Sequence, residues 1–194
     1  MPLCESVYSV LIVSCGEKFS QSLISLLPES RFDPVHTVAS AASAKRALLG
    51  RSYDFVIVNT PLSDDFGTDL ALDVCRGDSS VALLLVKNDL FDDIAGRVGP
   101  FGVYTLSKPT SNAAVSMAIS WMCATRERLR RMQKKAASAE EKIEEIRLVN
   151  RAKWLLISEL KMTETDAHRY IEKTAMDRCV SKRDIAADII RNYS

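Results

Sequence analysis

The residue types that could carry enzyme chemistry are few and scattered in this chain of 194 residues. Its two histidines, His36 and His168, lie far apart in the sequence. The sequence has no glycine-rich phosphate loop, no nucleophile motif and no cysteine and histidine set with metal-ligand spacing, and Lys108 alone does not make an active site. We therefore expect no catalytic residue, no metal and no cofactor, and we predict that the protein is not an enzyme.

Cysteine usage indicates a reducing compartment. The five cysteines are odd in number and form no CxxC pair; they are Cys4, Cys15, Cys75, Cys123 and Cys179. Free thiols are therefore expected rather than a disulfide framework. The opening residues MPLCESVYSV do not read as a signal peptide, and no apolar run of about 18 residues could span a membrane. We predict a cytoplasmic protein without a membrane partner.

The near-neutral total of +1 hides a charge asymmetry between the two halves of the chain. Residues 1–110 have a net charge of −4, and residues 111–194 have a net charge of +5. Such a split suggests two parts with different partners. A basic half is a weak indication of nucleic-acid binding, because net charge supplies attraction without specificity.

The acidic half alternates short apolar runs with helical patterns. Strands are predicted at 8–14, 34–38, 54–59, 81–86 and 103–107, and helices at 17–27, 41–50, 65–76 and 89–98. Several of the strands are apolar on both faces, which is typical of a parallel sheet covered by helices on each side. These repeats predict a doubly wound α/β fold of flavodoxin-like type, whose functional groups lie at the carboxyl ends of the strands.

Those strand ends resemble the receiver domain of two-component response regulators, in the runs DFVIVNTPL, VALLLV and TLSKPT. The resemblance implies a phospho-accepting aspartate where Asn59 stands, paired acids where Ser14 and Cys15 stand, Ser or Thr at Val86, and the lysine that is Lys108. Only the lysine is present. An amide is no phosphoryl nucleophile, and Ser14 and Cys15 are poor Mg²⁺ ligands. We expect a degenerate receiver that is not phosphorylated by the usual route, in which Lys108 bonds backbone carbonyls or Asn59.

A long helix with a heptad seam is predicted after the sheet domain, because Ser111 to about Lys161 contains neither glycine nor proline. The seam positions alternate in spacing between three and four; they are Val115, Ala118, Met122, Thr125, Leu129, Met132, Ala136, Ala139, Ile143, Ile146 and Asn150. A parallel homodimer with Asn150 fixing its register is the favoured interpretation. Packing of this helix on its own domains is the alternative, and the pattern does not separate the two.

A cluster of like charges lies on the same helix. It comprises Arg126, Arg128, Arg130, Arg131, Lys134 and Lys135, with Glu127 as the one acid among them. Such a run is usually a solvated face, and the alternative is a stripe that contacts phosphates.

The C-terminal residues predict a small bundle of three helices. The long helix continues to about residue 161, Thr163 can cap a helix over 164–179, and Ser181 can cap a last short helix with Asp184 at its third position. Trp154 is expected to pack between these helices.

This bundle resembles an ANTAR domain, the RNA-binding module of transcription antitermination regulators, over about residues 138–192. The matching words are Arg151-Ala152-Lys153, Asp166-Ala167, Lys173 with Ala175-Met176-Asp177, and Ile185-Ala186 with Ile189-Ile190. The resemblance implies three parts: a receiver-like domain at 1–110, a coiled-coil linker at 111–137 and an ANTAR domain at 138–194. It also implies binding of paired hairpins in nascent mRNA leaders, which prevents a terminator from forming.

Side chains on this bundle could serve RNA recognition, which relies on phosphates, shape and displayed bases. The candidate RNA-binding residues are Arg151, Lys153, Arg169, Tyr170, Lys173, Arg178, Lys182 and Arg183. Lys153 and Lys173 are the favoured contacts. Tyr170 and His168 could stack on an unpaired base. A core tyrosine is at least as good an interpretation of Tyr170, and a half-buried surface histidine is the better interpretation of His168.

Three functions remain open from the sequence. The first is an RNA-binding antiterminator with a degenerate receiver as its control domain, and the second is a coiled-coil adaptor that acts through protein contacts. A DNA-binding regulator is the weakest, because the final helices lack a clear helix-turn-helix pattern. Without phosphorylation, a regulatory protein or a ligand on the receiver-like domain is the expected source of control.

Overall fold

The computed structural model describes residues 6–77 and 79–193, so Cys4 lies outside the described residues. The chain divides into two compact units with the boundary between Arg131 and Met132. We call them the N-terminal and the C-terminal unit. No helix in the described part of the chain is long and apolar enough to cross a membrane.

The N-terminal unit has the predicted α/β fold. Its elements are β1 Tyr8–Ser14, α1 Glu17–Ile24, β2 Phe32–Val38, α2 Ala41–Gly50, β3 Phe55–Asn59, α3 Thr68–Arg76, β4 Val81–Lys87, α4 Phe91–Val98, β5 Tyr104–Lys108 and the first part of α5 Asn112–Leu160. The five strands are all parallel, in the order β2-β1-β3-β4-β5. The flavodoxin-like prediction is confirmed.

The central strand β4 is apolar from Val81 to Val86, which gives the sheet an apolar core on each face. Leu83, Leu84 and Leu85 on β4 are each 0% exposed, although successive side chains point to opposite faces of the sheet. Leu84 joins a cluster under α2, α3 and α4, whereas Leu83 and Leu85 join a second cluster on the other face. Helices therefore cover both faces, as the continuous apolar runs predicted.

The beginning of α5 completes the second cluster. Val115, Ala118, Ile119 and Met122 pack there against strand residues, with Val115 5% and Met122 0% exposed. Leu129 also packs on this cluster and is partly buried. Val115 and Met122 therefore pack against the sheet of their own chain, and neither is available to a partner helix. For this part of the seam, the intramolecular alternative holds.

An ionic clamp, formed by Asp54, Arg126 and Arg130, joins α5 to the start of β3. Arg126 Nε and Arg130 Nη2 donate to Asp54 Oδ1 over 2.7 and 2.8 Å. The other carboxylate oxygen accepts from the backbone nitrogen and the hydroxyl of Ser9. Arg130 also pairs with Glu127 and lies over the ring of Tyr8. Two cations of the basic cluster are thus explained by contacts within the N-terminal unit.

The C-terminal unit is a bundle of the end of α5, α6 Glu164–Arg178 and α7 Lys182–Tyr193. Its core contains Ala152 and Leu156 of α5, Ala167 and Ile171 of α6, and Ile185 of α7. The predicted helix starts are present. Thr163 Oγ1 accepts from the backbone nitrogen of Asp166, and Ser181 and Asp184 bond reciprocally in a capping arrangement.

Candidate functional site

Three polar side chains meet at the carboxyl edge of the sheet. Ser14 and Asn59 are register partners at the ends of β1 and β3, and Asn59 Nδ2 donates to Ser14 Oγ over 3.0 Å. Lys108, at the end of β5, donates from Nζ to Asn59 Oδ1 over 2.7 Å and to the backbone carbonyl of Thr60. The ends of β1, β3 and β5 thus bring together Ser14, Asn59 and Lys108, and the two contacts expected of Lys108 are present.

The electrostatics of this edge are basic. Burial and the nearby charge of Lys87 lower the pKa of the Lys108 ammonium below its usual value. Lys87 is the register partner of Lys108 on β4 and is exposed. Val86, where the resemblance implies a hydroxyl residue, is 0% exposed in the core. Among the described residues, no carboxylate forms a hydrogen bond with Asn59 or Lys108.

The acidic side chains that follow Asn59 in the sequence, Asp64 and Asp65, accept hydrogen bonds from backbone nitrogens. Asp64 accepts from the backbone nitrogens of Ala41 and Ala42 at the start of α2, and these bonds lower the pKa of its carboxyl group. Asp65 accepts from the backbone nitrogen of Gly67. Cys15 is exposed, and its Sγ lies 3.1 Å from the carbonyl of Ala39. Among the described residues, no group of three His, Cys, Asp or Glu side chains could hold a metal ion.

The predicted RNA-binding residues of the C-terminal unit fall into two groups, those that form an ion pair and those that do not. Arg151, Arg169 and Lys173 are exposed and form no ion pair with any described residue. Three others are paired: Lys153 with Glu164 over 3.1 Å, Arg178 with Asp188 over 3.6 Å, and Lys182 with Glu172. Arg183 is exposed and lies near the Asp184 carboxylate. Unpaired guanidinium and ammonium groups are the freer donors for phosphate.

The side chain of Lys153 is only 16% exposed, so one of the two favoured contacts is mostly withdrawn from solvent. Tyr170 is 45% exposed and lies on the surface rather than in the core. His168 is exposed, with Nε2 lying 3.3 Å from Glu172 Oε1.

The prediction for Trp154 is wrong. Its side chain is 70% exposed and does not pack between the helices. The reason is helical geometry: Ala152 and Leu156 occupy the core-facing side of α5, and position 154 falls on the opposite side.

The later seam residues are exposed within their unit. Met132, Ile143 and Ile146 are 55%, 51% and 60% exposed, and Asn150 is exposed as well. These positions have the spacing of a heptad.

Comparison with known proteins identifies the bundle. The ANTAR domain family matches residues 137–190. The chain carries an ANTAR domain. It is also 25% identical over 183 residues to the "Transcriptional regulatory protein PdtaR" of two strains of Mycobacterium tuberculosis, a match that covers 93% of this chain and 88% of the relative. The homology therefore includes the segment before the ANTAR domain.

Solved structures support the receiver fold of the N-terminal unit. A signal receiver domain of an HD domain-containing protein from Pseudomonas fluorescens is similar with a TM-score of 0.57 at 22% identity, covering 69% of this chain and 96% of that one. A response regulator from Chloroflexus aurantiacus is similar with a TM-score of 0.53 at 21% identity, covering 61% and 99%. The fold that precedes the ANTAR domain is that of a receiver.

Two features of the structure are not predicted in the sequence analysis. The Asp54 clamp joins residues 72 and 76 positions apart, and local spacing carries no signal for such a pair. The exposure of Trp154 in the ANTAR domain could have been found by projecting the core residues Ala152 and Leu156 on a helical wheel.

Proposed function

We propose that this chain is an RNA-binding transcription antitermination regulator, which binds paired hairpins in nascent mRNA leaders and prevents formation of a terminator. The observation that carries the proposal is the match of residues 137–190 to the ANTAR domain. The similarity to a transcriptional regulatory protein along most of the chain supports it. Exposed, unpaired cations on the bundle supply donors for phosphate.

The receiver-like domain acts, in this proposal, without phosphorylation. Asn59 offers a carboxamide where a receiver needs a carboxylate nucleophile, and its nitrogen and oxygen are engaged by Ser14 and Lys108. Ser14 and Cys15 provide no carboxylate for Mg²⁺. Control then comes from a protein or a ligand that binds this domain.

The active form is a parallel homodimer whose seam begins after the N-terminal unit. Met132, Ile143 and Ile146 supply its apolar contacts, and Asn150 is the polar position that fixes register. A dimer presents two ANTAR domains, so that each can hold one hairpin of a pair. Two linked binding events strengthen the complex beyond the affinity of either domain alone.

Arg151, Arg169 and Lys173 are the leading RNA contacts, since their charges are not neutralised by a described acid. Lys153 ranks below them because Glu164 already accepts from its ammonium group. Arg178, Lys182 and Arg183 are further candidates. Tyr170 is available to stack on a base because it lies on the surface.

A titration tests the proposal. The full chain is mixed with a leader RNA that carries two small hairpins, and with a control in which the loop sequences are scrambled, at several salt concentrations. We expect preference for the paired hairpins and an affinity that falls as salt rises, because phosphate contacts release counterions. Equal affinity for both RNAs, even at low salt, contradicts the proposal.

A further inference from the structure

Trp154 is a large apolar side chain that its own unit leaves in solvent, at 70% exposure. The core of the bundle is on the other side of α5, with Ala152 and Leu156 nearly fully buried. Leaving an indole ring in water costs free energy in proportion to the apolar area that stays unburied. The indole is therefore available to an occupant that would cover it.

The residues around Trp154 on the same face of α5 are basic. Arg147, Arg151, Trp154 and Ser158 are separated by three or four positions, so they form one ridge along α5, and Lys161 follows directly after the end of that helix. All five are exposed, and the ridge contains no acid. Arg151 makes no ion pair with a described residue, and Arg147 reaches Glu144 only at 4.0 Å. An aromatic ring between cations is complementary to a nucleic acid.

A second copy of this chain is the competing occupant, and the heptad positions beside Trp154 argue against it. The seam is apolar at Ile143 and Ile146, but its next two positions are Asn150 and Lys153. The following position, Ile157, packs on the core of its own bundle. The apolar seam therefore ends before it reaches Trp154, which leaves the indole free for another partner.

We propose that Trp154 stacks on an unpaired base of a hairpin loop, while Arg147, Arg151 and Lys161 contact the flanking phosphates. This inference rests on the proposed function and adds the place and the mode of base contact. A groove beside the indole, lined by Asn150, Ile157 and Met162 among others, can receive the edge of the base.

The experiment uses the chain's two tryptophans, since Trp121 is a matched control: it is 52% exposed and lies in the other unit. Affinities of Trp154→Ala and Trp121→Ala for the two-hairpin RNA are compared with that of the unaltered chain. We expect Trp154→Ala to bind about 5- to 100-fold more weakly, Trp154→Phe to recover most of the loss, and Trp121→Ala to bind normally. In a Trp121→Phe background, adding RNA should quench the fluorescence of Trp154.

Two results would overturn the inference while leaving the proposed function intact. One is RNA binding by Trp154→Ala at full strength, without quenching of Trp154 in the Trp121→Phe chain. The other is a loss of dimer by Trp154→Ala in sedimentation experiments without RNA, which would assign the indole to a second copy. If the unaltered chain itself does not prefer the hairpin RNA, the proposed function fails, and this inference fails with it.

Discussion

Lys108 donates a hydrogen bond to the side-chain oxygen of Asn59 over 2.7 Å, at the edge of the sheet where β1, β3 and β5 end. The opposite end of the carboxamide donates to Ser14. The three side chains thus form a chain of hydrogen bonds that links the ends of β1, β3 and β5. It stabilises the strand ends, and it leaves no anionic oxygen for attack on a phosphoryl donor.

The unaltered protein should gain no phosphoryl group from acetyl phosphate and Mg²⁺, as measured by intact mass. The Asn59→Asp variant should also remain unmodified, since Ser14 and Cys15 still provide no carboxylates for the metal. Combining Asn59→Asp with Ser14→Asp and Cys15→Asp should restore labelling. A phosphoryl adduct on the unaltered chain would refute the proposal for this domain.

Asp54→Asn should lower the free energy of unfolding at pH 7 by about 2–4 kcal/mol, because Arg126 and Arg130 lose the carboxylate that neutralises them in a mostly buried site. The carboxylate side chain is 12% exposed, and that of Arg126 is 11% exposed. Urea unfolding, monitored through the hydrogen exchange of the sheet amides, measures the change in the free energy of unfolding. Arg76→Ala, which removes an exposed pair with Asp73, is the control and should change stability little.

The effect of Asp54 should depend on pH. Burial raises the pKa of this carboxyl, but the bonds from Ser9 and Arg126 and the charge of Arg130 outweigh burial and hold the pKa below its usual value. A depressed carboxyl pKa stabilises the fold above the unfolded value of about 3.9, and this stabilisation is lost as pH falls through the folded value. The difference between Asp54→Asn and the unaltered chain should therefore shrink below about pH 4. A difference that grows on acidification would contradict the clamp.

The double variant Ile143→Asp with Ile146→Asp should be monomeric in sedimentation experiments, because two like charges per chain would face each other in the seam. Leu49→Asp is the control, since Leu49 is 89% exposed and lies on α2 of the N-terminal unit. The control should remain a dimer. A dimer that survives the double substitution would place the interface elsewhere.

Removal of unpaired cations should weaken RNA binding more than removal of a paired one. Arg151→Ala and Lys173→Ala should each reduce affinity and lower the salt slope by about one, as expected for the loss of one phosphate contact. Lys153→Ala should have a smaller effect, because its ammonium group is engaged by Glu164. Equal losses at all three positions would show that the ion pair opens when RNA binds.

The fold was predictable from the sequence because the apolar runs of β1, β3 and β4 leave few arrangements other than a covered parallel sheet. The helix α5 was predictable for a similar reason, since its residues include no breaker. The role of each seam residue was not predictable from the sequence. Val115 and Ile143 have the same spacing pattern, but the first is buried against the sheet and the second is exposed.

The site was predictable only where one side chain determines the chemistry. Asn59 excludes a nucleophilic carboxylate by its identity, whatever surrounds it. The availability of Lys153 depends on Glu164, and that of Arg126 on Asp54, and both acids lie outside the helical repeat of their partners. The hydrophobicity of Trp154 predicts burial, but its position opposite Ala152 places it on the exposed side of α5.

Single-round transcription in vitro tests antitermination by this protein most directly. The template carries a leader, recovered by its binding to this protein, in which paired hairpins overlap a terminator. The measured quantity is the fraction of transcripts that extend past the terminator with and without the full chain. We predict that the protein raises this fraction, and that the double variant Arg151→Ala with Lys173→Ala does not. Unchanged termination at protein concentrations that saturate the leader would contradict the account.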